Sequence, residues 1–163
     1  MLDIYAPLVT ESIATFEVRA PEQSQFARRL IDSHVWLVHE ADGIVAGYAY
    51  AGKLNKREAY RWSAEVSVYV HPDLRGGGVG RSLLEELLEQ LTGMGFVNAF
   101  AGVALPNDAS VKLFESLGFE RIALQKEVGY KLGRWIDVGW WQKQLRARTD
   151  PPPELDVPRL GGE

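Results

Sequence analysis

The sequence predicts an α/β (α+β) domain, one central mixed, twisted sheet with helices on both of its faces. Three stretches carry that prediction. VWLVHE and IVAGYAYAGKL, separated by the turn residues Asp42-Gly43, form a strong hairpin signal. A strand ending at His71-Pro72 passes through the glycine-rich turn LRGGGVG directly into a helix. FVNAFAGVAL then passes through Asn107-Asp108 into a second, shorter helix.

In chain order, MLDIYAPLV reads as the second half of a helix, followed by a loop around Thr10 to Ala20. A short helix from Pro21 to Ile31 comes next, proline being suited to a first helical turn. The hairpin strands are Val35 to Glu40 and Ile44 to Leu54. A polar excursion, NKREAYRWS, leads into a third strand, Ala64 to Val70. In the helix after the glycine turn, Leu83, Leu84, Leu87, Leu88 and Leu91 recur at helical spacing while Glu85, Glu86 and Glu89 face away. Gly93 and Gly95 stop it, and Phe96 to Leu105 is a buried strand. Asn107-Asp108 can cap a helix with Ala109, Leu113, Phe114 and Leu117 inward and Gly118 closing it. Two more strands, about Phe119 to Lys126 and Val138 to Gln144, are joined by EVGYKLGRWID. Trp140 and Trp141 are adjacent in the last strand, so one enters the core and the other is left for the surface or a partner. Residues 1–148 thus form one domain. The proline-rich tail, 149–163, lacks apolar periodicity and is expected to be disordered or loosely docked.

Composition narrows the function. The chain has 163 residues, 46% of them hydrophobic, and a formal net charge of −4 from 18 basic and 22 acidic side chains. A nucleic-acid partner is not expected, because phosphate neutralisation needs a concentrated basic surface. Cysteine is absent, which removes disulfides, thiolate nucleophiles and thiolate metal sites. His34, His39 and His71 lack metal-ligand spacing, so no metal is expected. No apolar run reaches the roughly 18 residues of a membrane span, and the chain does not open on a signal segment. A cytoplasmic protein without membrane partners is the expectation.

The strongest chemical signal is the strand–RGGGVG–helix unit. Glycines at 76, 77, 78 and 80 let backbone N–H groups approach an anion closely, and the helix dipole adds partial positive charge there. Such a loop suits a pyrophosphate. A tight turn with excess glycine is the bland alternative; the nucleotide-triphosphate pattern GxxxxGK-S/T and the dinucleotide pattern GxGxxG are both missing.

Val68-Tyr69-Val70-His71-Pro72 followed by Arg75-Gly-Gly-Gly-Val-Gly80 resembles the coenzyme motif of the GNAT acetyltransferases. YRWSAEVSVYV, LPNDASVKLFESLGF, GYKLGRWIDVGWWQ and IYAPLVTESIATFE extend the resemblance to the phosphinothricin-type N-acetyltransferases, over about residues 3 to 146. The resemblance implies a GNAT fold, acetyl-CoA as co-substrate without a metal, a small-molecule amine acceptor and a homodimer. It implies that Val68 and Val70 offer backbone groups to the pantetheine arm. It gives an N–H of the Tyr69–Val70 segment to the developing oxyanion. Arg75 opens the loop, and Gly76, Gly77, Gly78, Val79, Gly80 and Arg81 wrap the pyrophosphate. Asn107 reaches the coenzyme, caps its helix, or does both. Glu65 accepts the amine proton, directly or through water; without the motif around it, it reads as an exposed strand carboxylate.

Acceptor contacts are implied for Phe16, Tyr60 and Arg61, with Lys131, Arg134, Trp135 and Asp137 closing the site. Arg61 suits a carboxylate or phosphinate, its other readings being solvation or a pair with Glu58. Core packing is the alternative for Phe16, Tyr60 and Trp135, and a surface pair for Lys131 with Asp137. Two departures stand out. Phe114 occupies a position where such relatives carry histidine, and a phenyl ring relays no proton. The chain also enters part-way along the relatives' first helix, so the first edge strand is expected to be missing, as a late start codon would produce. Acetylation of peptide N-termini and a catalytically reduced coenzyme-A-binding protein are the competing readings.

Overall fold

The computed structural model of the chain describes residues 1–41 and 43–157. Asp42 of the expected hairpin turn, and residues 158–163 of the expected loose tail, lie outside the described residues. The elements in order are α1 (Leu2–Glu11), α2 (Gln23–Asp32), β1 (Val35–Ala41), β2 (Ile44–Lys53), β3 (Ser63–Val70), α3 (Val79–Gly93), β4 (Asn98–Leu105), α4 (Asp108–Ser116), β5 (Glu120–Lys131) and β6 (Arg134–Gln144). Short 3-10 turns at Glu58–Tyr60 and Pro72–Leu74 flank β3.

The strands form one mixed sheet in the order β1-β2-β3-β4-β6-β5. Every neighbouring pair is antiparallel except β3 and β4, which are parallel. The leucine stripe of α3 explains one face: Leu83, Leu84, Leu87, Leu88 and Leu91 are all buried, against Ala64 and Val66 of β3, Ala99, Ala101 and Val103 of β4, and Trp141 of β6. Each buried leucine contributes roughly 1.5–3 kcal/mol, which pins this helix to the sheet. On the opposite face, Ile4, Tyr5 and Val9 of α1 and Phe26 of α2 pack around Tyr48 of β2. Trp141 enters the core and donates its indole N–H to Glu115 Oε1 at 3.2 Å, whereas Trp140 lies on the other face over Gly102, bonded to Gln125.

Three boundaries differ from the sequence reading. Helix α1 runs through Thr10 to Glu11. Helix α2 starts at Gln23 rather than at Pro21, because Glu22 caps it: its backbone N–H donates to Gln25 Oε1 at 2.9 Å and its side chain accepts the return bond. The stretch EVGYKLGRWID is not a connector. It completes β5 and begins β6, joined by a tight turn with Leu132 at φ 50 and Gly133 at φ 76.

The described part of the tail is packed onto the domain. Trp62 Nε1 donates to Pro153 O at 2.7 Å, Asp156 N donates to Met94 O at 3.0 Å, and Leu155 and Val157 rest against the α3-side core. Gly95, at φ 96, has no room for a Cβ because the Glu154 carbonyl passes over it.

Candidate active site

The site begins with a broken ladder. Parallel pairing of β3 with β4 covers only Ser63 to Glu65 against Asn98 to Phe100. Beyond that point β3 stays paired with β2 as far as Val70, and β4 stays paired with β6 as far as Leu105. The two strands therefore part in the middle of the sheet. The side of β3 facing this opening follows from register. His71 N donates to Ala46 O at 2.8 Å, and two rungs earlier Tyr69 faces Tyr48 in the same kind of hydrogen-bonded pair. The N–H and C=O groups of Val68 and Val70 consequently point away from β2, into the opening. A polar edge in mid-sheet needs a partner, and a linear amide-bearing chain laid along it would supply one.

Strand alternation assigns the two sides of the opening. Ala64, Val66 and Val68 face α3, so Glu65 shares the face of Tyr69, which packs with α1. Helix α1 and the loop after it span the opening on that face. Tyr5 meets the Tyr69 ring edge-on at 5.3 Å on the β3 side, and Ile13 packs with Ala104 and Ile136 on the β4 side.

On the other face, the glycine turn brings the start of α3 to the opening. Gly76 and Gly78 hold φ of 80 and 84, a region that side-chain-bearing residues rarely adopt, and Gly78 is the N-cap of α3. Gly80 has a different reason to be glycine: a Cβ there would lie 3.2 Å from Val70 Cγ2 and 3.5 Å from Leu113 Cδ2. Gly47, which the sequence reading passed over, has a related role. A Cβ there would lie 2.9 Å from Tyr69 O and 3.1 Å from Val79 Cγ1, so its absence lets the helix start press onto the sheet. The first intrahelical bond is Ser82 N to Gly78 O, which leaves the amides of residues 79 to 81 at the helix start for an external acceptor. Free N–H groups, left-handed glycines and the positive end of a 15-residue helix together fit a pyrophosphate. Arg81 adds its backbone here, while its guanidinium is held by Glu85 at 2.9 Å and Ser116 at 3.1 Å. Arg75 is exposed at the start of the turn.

Glu65 is half-buried, and among the described residues its carboxylate has neither an ion-pair partner nor a hydrogen bond. Burial raises its pKa above the ordinary glutamate value. A carboxylate so placed is more basic than a surface glutamate, which suits it to take a proton. Asn107 is a helix cap, its side-chain oxygen accepting Ser110 N at 3.2 Å. Phe114 is buried in the α3-side core, its ring edge-on to Phe119 at 5.2 Å. It is a packing residue with nothing to offer a proton relay.

The expected acceptor residues divide. Phe16 lies over Gly129, where a Cβ would stand 2.7 Å from Phe16 Cζ. Tyr60 is exposed in the 3-10 turn before β3. Arg61 stacks on Trp62, its Cζ 4.2 Å from the ring centroid, and no carboxylate, Glu58 included, pairs with it among the described residues. Lys131 corrects the surface-pair reading: it is buried, and its ammonium donates to Thr15 O at 2.6 Å and Leu8 O at 3.3 Å. Asp137 instead accepts Glu127 N at 2.7 Å. Trp135 is 62% exposed and meets Tyr130, whereas its neighbour Ile136 is buried against Ile13, so Trp135 faces away from the α1–α2 loop.

A parted parallel pair, a glycine turn at a helix start and a carboxylate on the opposite face thus meet in the middle of the sheet. The sequence model of the acetyltransferase (GNAT) family matches residues 5–119. The chain belongs to the GNAT acetyltransferase family. Within it, this GNAT protein is 41% identical to the phosphinothricin N-acetyltransferase of Streptomyces viridochromogenes over 132 residues, 81% of this chain and 72% of that one. It is also 41% identical to the L-amino acid N-acyltransferase MnaT of Escherichia coli, over 77% of this chain and 73% of the relative. The crystal structure of a phosphinothricin acetyltransferase from Sinorhizobium meliloti, in complex with AcCoA, superposes with a TM-score of 0.89 at 35% identity, covering 96% of this chain and 87% of that one.

Proposed function

We propose that this GNAT protein transfers the acetyl group of acetyl-CoA to the amine of a small, amino-acid-like acceptor: phosphinothricin, methionine sulfoximine or sulfone, or an L-amino acid. The observation that carries the proposal is the opening between β3 and β4. Unpaired Val68 and Val70 backbone groups line it, the glycine turn lies on one face, and Glu65 lies on the other.

In this reading the thioester supplies an activated acyl group. The α3 start holds its pyrophosphate, and the Val68 and Val70 backbone orients the pantetheine amides along the opening. The acceptor approaches on the α1 face and gives a proton to Glu65, directly or through one water, so its nitrogen attacks as a neutral amine. The new C–N bond forms as the C–S bond breaks, the sulfur leaves as a thiolate, and the second proton that the nitrogen sheds on becoming an amide passes to water or through water to that thiolate. The Val70 N–H stabilises the charge that develops on the carbonyl oxygen. Because Phe114 donates no proton, departure relies on the thiolate's own stability or on water.

Arg61 is the group that reads the acceptor's acid. The Arg61 Cζ lies over the Trp62 ring and no carboxylate pairs with it among the described residues, so its N–H donors are available to two carboxylate or phosphinate oxygens. A coupled free-thiol assay across L-amino acids, their carboxamides, methionine sulfone, phosphinothricin, polyamines and peptides tests this. Arg61→Ala is expected to cost roughly 1.5–3 kcal/mol in kcat/KM for the acids and little for the carboxamides. Equal losses on acid and amide would remove Arg61 from anion recognition, and a preference for polyamines or peptides would overturn the substrate class.

The protein works, in the same reading, as a cytoplasmic homodimer. Support comes from the β5 edge and its turn, where Ile122, Leu124, Val128, Tyr130, Leu132 and Trp135 are between 40% and 62% exposed. An apolar set of that size on a sheet edge calls for cover. Sedimentation equilibrium at micromolar concentration should give twice the chain mass; a folded monomer would contradict the dimer.

A further inference from the structure

We propose that Lys131 is a positioning residue: its buried ammonium ties the loop after α1 to the β5–β6 hairpin, and so sets the acceptor wall that Phe16 forms against Gly129. The inference rests on the reading that the acceptor binds on the Glu65 face.

Lys131 is 6% exposed, and no carboxylate makes ion-pair contact with it among the described residues, Glu17 acting on it only at longer range; its ammonium donates to the carbonyls of Leu8 and Thr15. Burying an ammonium with carbonyls as its only hydrogen-bond partners is costly, and methionine would fill the same volume without that penalty. What the ammonium adds is direction. Leu8 lies in the last turn of α1, which has no basic residue of its own, so a cation from β5 answers both an orphan carbonyl and the helix dipole. Thr15 is the residue before Phe16. Two hydrogen bonds on one ammonium therefore fix where the helix ends and where the loop turns outward.

The neighbouring contacts converge on the same segment. Ile13 is buried with Ala104 of β4 and Ile136 of β6. The Thr15 hydroxyl shares a 2.8 Å hydrogen bond with the Tyr5 hydroxyl, and Tyr5 packs edge-on against Tyr69 of β3. Phe16 then lies over Gly129, two residues before Lys131 on β5, at a position that admits no side chain while the ring is there. Gly129 closes a register shift in the β5–β6 ladder that begins at Gln125. The hairpin's bulge and the loop's aromatic ring thus fit one another, and Lys131 is the only cation among the described residues that bridges them. Its position far from the glycine turn predicts an effect on the acceptor and none on the coenzyme.

The test is a double-mutant cycle on Lys131→Met and Phe16→Ala, read as steady-state kinetics with methionine sulfone and as acetyl-CoA affinity by calorimetry. Each single substitution is expected to raise acceptor KM by about ten- to hundredfold, the scale of a small displacement of a binding wall. Acetyl-CoA affinity should stay within about twofold, and the double variant should be no worse than the more affected single one. Multiplying effects, an equal loss of acetyl-CoA affinity, or an unchanged acceptor KM in folded Lys131→Met would overturn the proposal. Should Lys131→Met not fold, Gly129→Ala displaces Phe16 with the lysine intact. It must raise acceptor KM in the same range, and an unchanged KM there overturns the proposal equally. A wild-type protein that acetylates no amine would instead overturn the functional reading on which this inference stands.

Discussion

Glu65→Gln is expected to lower kcat by about 10²- to 10⁴-fold, the usual loss when a general base is removed, with acetyl-CoA affinity nearly unchanged. Glutamine keeps the shape and the half-buried setting but cannot take a proton. Measured above the folded pKa of Glu65, the same substitution should raise the melting temperature. Burial lifts the Glu65 pKa in the folded protein above its unfolded value, so the fold binds that proton more tightly than the unfolded chain does. The stability this confers is fully present below the unfolded pKa and is lost as pH rises through the folded one. Above the folded pKa the ionised carboxylate therefore destabilises the fold, and the uncharged amide of Glu65→Gln removes that cost. Slower turnover with a higher melting temperature separates a strained base from a packing residue. A rate loss below about threefold would make Glu65 structural or redundant.

Gly78→Val should abolish acetyl-CoA binding, weakening it by about a hundredfold or more as two or three charge-assisted hydrogen bonds are lost. The cause is backbone geometry rather than crowding, since a Cβ at Gly78 meets nothing within 4 Å. A β-branched residue disfavours φ of 84, so the N-cap shifts and the amides of the helix start no longer converge. The circular dichroism spectrum should be unchanged, because the α3 leucine stripe holds the helix independently of its first turn. Gly93→Ala is the control: it lies at the far end of α3 with nothing within 4 Å of its Cβ, and it should bind acetyl-CoA normally. Wild-type affinity in Gly78→Val would remove the pyrophosphate assignment.

The α3 half of the site was legible because its causes are local. Leucines at helical spacing and glycines between a strand and a helix are patterns within a few residues, and both correspond to observed structure. The half-burial of Glu65 was not legible, since burial of a strand carboxylate depends on which elements cover it. The turn end of the β5–β6 hairpin was not legible. Its period of two breaks at the register shift between Gln125 and Gly129, and Glu127 and Leu132 adopt positive φ without being glycine. The burial of Lys131 was silent for a further reason. Its partners are 116 and 123 residues away, and a lysine on a strand next to a turn carries no mark of burial. Gly47 was likewise silent, as its reason to be glycine is the approach of Val79 from another element.

Acetyl transfer from one face of the opening to an amine on the other is the central claim, and the product tests it most directly. The wild-type protein, incubated with acetyl-CoA and each of methionine sulfone, phosphinothricin and a panel of L-amino acids, is analysed by mass spectrometry of the acceptor alongside titration of free thiol. N-acetylated acceptor should accumulate in equal amount to the thiol, for at least one acid-bearing amine and at a rate that depends on its concentration. A folded protein that binds acetyl-CoA but yields no N-acetylated acceptor, with thiol release no faster than without amine, would contradict the account.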